Sequence, residues 1–532
     1  MAFPNVVWKR AKLNRKNYAV SLKFIPLIKK SYLDFNTEYN MSNLLIKIFM
    51  SNTFSKIGFG CYRISDKIQE HYDSLYKALT SGVNLIDTSS NYSVGGSEVL
   101  VGKVVNDLIN EGKLKREDLC IVTKGGYIQG KLLAELKQKK ENGIYFEEVV
   151  EESDRLWHCI SPDFIEDQLR RQFERLNTPY IDYYLLHNPE YYLDHAASNN
   201  PDLESSREEY YKRIEKAFRF LEEKCDSGEI KFYGISSNTF PSYSDERSFT
   251  SLEKVYEIAN SISENNRFKM IQLPLNLFEA GAVRNRNQEN KTKTVLEYAA
   301  EKDLKVLINR PLNAITSKGL VRLAEFKADA FEEKDFIKQI KLVKLLEEDM
   351  LSEKLSEDEF GEEEYKKLKN NLITGNQIEE NWKFFGSIEH FNDLIRQLFA
   401  PRINILLDFF EKNISDEGVK EISNHYIQNV YLLLKFTGNY YKLRADKRSR
   451  FINKLINEKL SPEYHSLTLS QKAALILISV KGVDCVLAGI TKPEYTDDLL
   501  KVMSVEKICN ADEIIMYVSL KIETEENVME IS

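Results

Sequence analysis

The chain has few cysteines and none of them are paired in sequence. Six (Cys61, Cys120, Cys159, Cys225, Cys485 and Cys509) are scattered over 532 residues with no CxxC spacing. That argues against a zinc site or a disulfide framework and fits a reducing compartment such as the cytoplasm. No apolar run is long enough to span a bilayer, so no membrane partner is expected. A basic field is missing too: the net charge of −8 argues against nucleic acid as a principal partner. Repeats and low-complexity linkers are also lacking. What remains, 42% hydrophobic and 29% charged residues, is an ordinary globular composition in a chain long enough for a large domain with additions.

The charge balance breaks locally at the start. Residues 1–33 hold Lys9, Arg10, Lys12, Arg15, Lys16, Lys23, Lys29 and Lys30 and no acid. Residues 1–50 therefore read as a basic extension, either poorly ordered or translated from upstream of a true start at Met41 or Met50. An organelle-targeting presequence is the alternative, disfavoured because the expected serine richness is missing.

Beyond it, short apolar runs bounded by turn residues recur: "KIGFG" (56–60), "VNLID" (83–87), "CIVTK" (120–124), "YIDYYLLH" (180–187), "KFYGIS" (231–236), "MIQLPL" (270–275), "KVLIN" (305–309) and "DCVLAG" (484–489). They are continuously hydrophobic rather than alternating, the mark of strands covered on both faces. Amphipathic helical patterns separate them, such as 161–176, with Ser161 as N-cap and Pro162 at the first helical position, and 292–303. Eight strands with a helix in each gap predict a (β/α)8 barrel, with a doubly wound open sheet as runner-up. Two gaps exceed one crossover: 125–160 and roughly 320–465. The second contains an acidic stretch (347–365) and two amphipathic helical runs that look able to pack together. The expected organisation is a barrel from 51–320 and 465–532, with a helical insert subdomain from 321–464 between strands seven and eight. Because that insert leaves from the end of strand seven, it is expected beside the barrel mouth, where it would limit substrate entry. Its stripe of Leu394, Leu398, Ile405, Leu406 and Phe409 needs a partner surface.

In a parallel barrel the site lies at the C-terminal strand ends. Reading the last residue of successive runs gives Asp87, Lys124, His187 and Ser236, then Gln272 inside the sixth run, Asn309 and Gly489. Taken singly, each has a plainer reading: Asp87 as a turn cap, Lys124 as a solvated strand end, His187 as a core histidine, and Tyr92 as a packing aromatic. Together, at the ends of adjacent strands, they predict a site. Tyr92 would donate a proton to a developing alkoxide, and Lys124 would lower its pKa. Asp87 would keep Lys124 charged and fixed, and His187 would hydrogen-bond and orient a substrate carbonyl. The hydride must then come from a cofactor.

The motifs "IDTSSNY", "IVTKGG", "IDYYLLHNPE", "KFYGISSNTF" and "IQLPLNLFE" resemble those of the aldo-keto reductases, (β/α)8 barrels that use NADP(H). The resemblance covers about residues 55–320 and 465–505. It implies Asp87, Tyr92, Lys124 and His187 as the catalytic tetrad, and Ser236, Ser237 and Gln272 as holders of the nicotinamide carboxamide. It also places Gly489, Thr491, Lys492, Tyr495 and Asp498 of "AGITKPEY" and its continuation near the adenosine phosphate. Where many members carry a nicotinamide-stacking aromatic, this chain has Asn309 and Arg310, the latter positioned to pair with a pyrophosphate oxygen. Tyr495 stands where an arginine is frequent. Lys492 remains as a 2′-phosphate ligand, which puts NADPH ahead of NADH. No GxGxxG loop is present, as expected for a dinucleotide bound on a barrel mouth. The implied activity is NADPH-dependent reduction of an aldehyde or ketone by Tyr92-assisted proton transfer on a small-molecule carbonyl substrate, with no metal. The alternative is a cofactor-binding regulatory protein that keeps the barrel with little turnover.

Overall fold

Eight short strands become neighbours in chain order: β1 (Ile57–Gly60), β2 (Leu85–Asp87), β3 (Cys120–Gly125), β4 (Ile181–His187), β5 (Ile230–Ser236), β6 (Phe268–Pro274), β7 (Lys305–Asn309) and β8 (Cys485–Ala488). The computed structural model describes residues 54–525 apart from 200, 201, 317, 318 and 356. The basic extension of 1–50 lies outside the described residues. Ile57 of β1 pairs with Val486 of β8, which closes the ring into a parallel barrel and excludes the open sheet.

The pleat explains why these strands read as uninterrupted apolar runs. Successive side chains point to opposite faces. One set (Phe59, Ile86, Ile121, Tyr184, Ile271, Val306) packs outward on the helices. The alternate set (Leu85, Val122, Leu185, Met270, Leu307, Leu487) fills the barrel. The interior is narrow at β1: a Cβ on Gly58 would lie 2.7 Å from Cys485 Sγ and 3.0 Å from Leu85 Cδ2.

The helices α1 (Gln69–Thr80), α2 (Gly96–Asn110), α3 (Pro162–Leu176), α4 (Leu203–Asp226), α5 (Leu252–Ile262), α6 (Val295–Glu301), α7 (Leu469–Ser479) and α8 (Pro493–Leu499) alternate with the strands. Thr294 and Glu297 form a capping box at α6. Ser161 does stand at the N-cap of α3, but its hydroxyl makes no cap bond and lies 3.3 Å from Cys159 Sγ.

The gap of 125–160 holds a helix (Gly130–Glu141) and a small antiparallel sheet of Tyr127–Ile128, Leu156–His158 and Val150–Ser153. The large insertion between β7 and β8 begins with a hairpin, Asn313–Thr316 and Gly319–Arg322. Helices follow, including Glu333–Asp349, Ile388–Leu394, Ala400–Asn413 and Glu417–Asn457. They share a core of their own, with Phe336, Trp382, Phe391, Leu406, Tyr426 and Tyr441. Of the expected apolar stripe, Leu406 and Phe409 are buried and Leu394 is partly so, whereas Leu398 and Ile405 are exposed. A wide turn at Ile395–Phe399 interrupts the 3.6-residue period and rotates the face.

The last long helix joins both cores. Tyr426, Leu433 and Tyr441 lie in the insert's core, and Ile452, Leu455 and Ile456 in the barrel's. Ser449 Oγ donates to the Ala324 carbonyl at 2.7 Å. Ile456→Ala, fully buried at that junction, is expected to lower stability by about 2–5 kcal/mol. Denaturant melts check this, and a change below about 0.5 kcal/mol would show that the helix end is not part of the barrel core.

Candidate active site

One layer of side chains caps the barrel interior. Each member stands two residues beyond an inward apolar residue: Asp87 after Leu85, Lys124 after Val122, His187 after Leu185, Gln272 after Met270, and Asn309 after Leu307. Strand register aligns His187 with Ser236 and Ser236 with Gln272. The period-two pleat thus delivers the predicted strand-end residues to one mouth.

At its centre Lys124 is fully buried, with Nζ 2.7 Å from Asp87 Oδ1. The ammonium also donates to the Thr88 carbonyl at 2.8 Å and reaches Tyr92 Oη at 3.5 Å. Asp87 Oδ1 accepts a second bond from Gln272 Nε2 at 2.7 Å. Gln272 Oε1 in turn accepts from Ser236 Oγ at 3.1 Å and Asn309 Nδ2 at 3.4 Å. A polar chain therefore runs from β5 to the Tyr92 phenol. Burial pushes the Asp87 carboxyl up, against the pull of Lys124 and Gln272.

The expectation that Lys124 would lower the Tyr92 pKa is corrected. Burial pushes the phenol well above its ordinary 10, and the Asp87 charge adds to this. Lys124 is already paired with Asp87 and Thr88, and it lies at the limit of hydrogen-bond distance from the phenol. Tyr92 consequently keeps its proton across the neutral range, as a proton donor must. Directly after it, Ser93 and Val94 both adopt left-handed backbone (φ 50° and 58°), a conformation that disfavours a β-branched residue and marks local strain.

His187 lies with its ring centroid 6.0 Å from that of Tyr92 and 4.6 Å from that of Tyr127. Burial first, then Lys124 and His158, hold its imidazole well below 6.5, so it is neutral.

The residues assigned to a cofactor are divided. Asn309 Oδ1 and Arg310 Nε are buried polar atoms without a hydrogen bond, an acceptor and a donor in sequence at the mouth. Another nitrogen of the Arg310 fork is engaged, with Nη2 donating to Glu279 Oε1 at 2.6 Å. Ser237 Oγ bonds Thr239 and Thr250, and Gln272 uses both ends of its amide inside the layer. Past β8, Gly489 and Tyr495 are exposed and Thr491 is partly so. Lys492 Nζ lies 3.4 Å from the Glu70 carboxylate. Asp498 differs from expectation: it accepts from Gln471 Nε2 at 2.8 Å and holds α7.

Several site residues were not singled out by sequence reasoning. Thr88 and Ser89 sat inside the quoted motif. Their backbone and hydroxyl partners exist only once β2 and β3 are paired. His158, from the small sheet, has Nε2 2.7 Å from the His187 carbonyl. Glu190, two residues past Asn188, accepts from Asn238 N at 2.8 Å, and burial pushes its carboxyl up to about 7.

The closed parallel barrel thus carries a buried lysine–carboxylate pair under a tyrosine at its C-terminal mouth. The chain belongs to the aldo/keto reductase family, whose model matches residues 56–356. Among curated relatives, 4-dihydromethyl-trisporate dehydrogenase of Mucor mucedo is 30% identical over 188 residues, 34% of this chain and 47% of that one. NADH-specific methylglyoxal reductase of Escherichia coli (strain K12) is 30% identical over 144 residues, 25% and 38% of the two chains. NAD(P)H-dependent D-xylose reductase of Kluyveromyces lactis is 26% identical over 192 residues, 34% and 47% of the two. The chain thus spans half or less of the length of these relatives.

Proposed function

We propose that the chain is a nicotinamide-dependent reductase of aldehydes or ketones, with Asp87, Tyr92, Lys124 and His187 at the reacting centre. The observation that carries this reading is the buried Lys124 ammonium, 2.7 Å from Asp87 and 3.5 Å from the Tyr92 phenol. When bound, the cofactor supplies the hydride. Tyr92 Oη gives its proton to the carbonyl oxygen as charge develops there, with the Lys124 ammonium 3.5 Å from the phenol oxygen. Asp87, bonded by both Lys124 and Gln272, fixes the ammonium so that no reorganisation is needed.

The residues at the mouth fit a dinucleotide. The unpartnered Asn309 Oδ1 suits a carboxamide NH2 group, and the unpartnered Arg310 Nε suits a phosphate oxygen. Ser236, at the same layer, and Ser237 beside it remain in the proposed carboxamide site, and Gly489, Thr491, Lys492 and Tyr495 in the adenosine site. The relatives' names include both NADH-specific and NAD(P)H-dependent enzymes; Lys492 is the feature of this chain that favours NADPH. Its pairing with Glu70 joins two half-exposed groups, so it is weak enough to be exchanged for a phosphate. Lys492→Ala is expected to weaken NADPH binding about tenfold and NADH binding little. Fluorescence titration checks this, and equal losses for both cofactors would remove Lys492 from the 2′-phosphate site.

We further propose that residues 321–464 act as a subdomain that narrows access to the mouth. The support is electrostatic and lies on the β1 side. Tyr62 packs edge-on against Tyr92 with centroids 5.2 Å apart. Its neighbour Arg63 lies within the electrostatic reach of Arg322 and Glu389, residues of the insertion.

The experiment that tests the function is NADPH oxidation with a panel of aldehydes and ketones. Oxidation that depends on the carbonyl supports it, and cofactor binding without turnover refutes it.

A further inference from the structure

The hairpin that follows β7 leads into a cleft of about 320 Å³. Val321 and Phe326 give it an apolar wall, but its charged lining is three guanidinium groups, Arg322, Arg444 and Arg448, against the carboxylate of Glu389. A cleft lined by an excess of one sign focuses its field on whatever enters. Arg322 comes from the hairpin, and Arg444 and Arg448 stand one turn apart on the long helix Glu417–Asn457. Two separately anchored elements thus bring cations to one space. Much of their donor capacity is uncommitted. Arg322 uses only Nε, which donates to Asn313 Oδ1 at 3.3 Å and lies 3.6 Å from Glu389 Oε1. Its two terminal nitrogens make no hydrogen bond among the described residues. Arg444 makes neither a hydrogen bond nor an ion pair among them. Its guanidinium lies 5.7 and 5.9 Å from the ring centroids of Tyr440 and Tyr441, which hold it by cation–π contact. The cleft is tied to the reacting centre through the exposed Arg63, which likewise has no hydrogen bond or ion pair among the described residues. Its neighbour Tyr62 packs on Tyr92 with centroids 5.2 Å apart, and the charges acting on Arg63 include Arg322 and Glu389 of the cleft. A run of cations therefore leads from beside Tyr92 into the insertion.

We propose that this cleft is a phosphate subsite, in which Arg322 and Arg444, with Arg63 on the Tyr92 side, hold the far end of a phosphorylated aldehyde or ketone. This deepens the reductase reading and rests on it. The chemistry of the lining selects phosphate over carboxylate. A phosphate monoester carries about −1.5 to −2 charge near pH 7 and three acceptor oxygens, enough to engage several guanidinium groups at once. A carboxylate brings one charge and two oxygens, which a single arginine fork already satisfies. The same carbonyl compound without its phosphate leaves the arginines hydrated and gains nothing in the cleft, so the insertion discriminates through kcat/KM. The subdomain at the mouth then does more than narrow the entrance: it supplies the cations that recognise the substrate's remote end.

The test has two readouts, both at constant ionic strength so that general screening does not imitate a site. The first is calorimetric titration of the full chain with inorganic phosphate under saturating NADPH, which fills the phosphate positions proposed for the cofactor. The wild-type protein is expected to bind phosphate, and Arg444→Gln and Arg322→Gln each to bind it about tenfold more weakly. The two variants lie on separate elements, so a fold defect in one leaves the other to decide. In kinetics, kcat/KM for D-erythrose 4-phosphate is expected to exceed that for D-erythrose by about 10- to 100-fold. Each variant should cut that ratio about tenfold, and added inorganic phosphate should raise KM for the phosphorylated sugar alone. Absence of phosphate binding to the wild type overturns the proposal without need of turnover. So does phosphate binding that both variants retain in full. Phosphate binding with equal kcat/KM for the two sugars also overturns it, because the anion held there would then be a free one and not part of the substrate. Failure to reduce any carbonyl would instead refute the reductase reading, and the titration would still decide whether the cleft binds phosphate.

Discussion

Replacing Tyr92 by phenylalanine is expected to lower carbonyl reduction by about 10²–10⁴-fold, the range associated with losing a general acid, while NADPH affinity stays within about twofold. The change removes one oxygen and keeps the ring that packs against Tyr62 and lies 6.0 Å from His187. The mouth should therefore keep its shape. Burial holds the phenol protonated well above neutrality, so no other pKa of Tyr92 is expected to shape the wild-type rate between about pH 6 and 9. Stopped-flow single-turnover rates separate the proton-transfer step from product release. Near-full turnover in Tyr92→Phe would mean that another group donates the proton.

Lys124→Met should have the largest effect on stability. It leaves the Asp87 carboxylate buried with only Gln272 as partner, and removing one member of a buried ion pair typically destabilises by about 3–5 kcal/mol. The pH dependence follows in sign. Burial already raises the Asp87 pKa above its ordinary 3.8, and losing Lys124 raises it further. The folded variant then binds a proton more tightly than the unfolded chain, so its stability rises as pH falls and is lost as pH increases from about 4 through the raised pKa. The double variant Asp87→Asn/Lys124→Met removes both charges and should regain most of the loss. Thermal melts across pH check both. A single variant as stable at pH 8 as the wild type would show that the pair is not ionic.

Much of the barrel was legible because each strand is covered on both faces. In a run such as "KVLIN" the apolar stretch continues without a polar interruption until Asn309, which reaches the mouth, so the strand and its functional end were read from the same letters. Lys124 and Asp87 stand out for that reason: a charge closing an apolar strand is unusual unless another strand end neutralises it. The small sheet of 125–160 was not legible, since strands of two to four residues show no period. Leu398 and Ile405 were misjudged because the wide turn before Ala400 shifts the helical face. The direction of the Tyr92 pKa shift was misread for a related reason. Sequence order places a lysine near the phenol but does not reveal that the same ammonium is already bound at 2.7 Å by a carboxylate and at 2.8 Å by a carbonyl. Ser89 was hidden inside a motif whose other letters had clearer roles, and its bond to His187 spans 98 positions.

The central claim is that the polar layer around Lys124 reduces carbonyls rather than merely retaining a nicotinamide cofactor. The most direct measurement is the initial rate of NADPH oxidation, followed by its near-ultraviolet absorbance, for the wild-type chain with glycolaldehyde, run beside fluorescence titration of NADPH. The account predicts saturable oxidation that requires the aldehyde and vanishes in Tyr92→Phe, with the cofactor bound equally by both proteins. Tight NADPH binding with no aldehyde-dependent oxidation would contradict it and identify a cofactor-binding barrel without turnover.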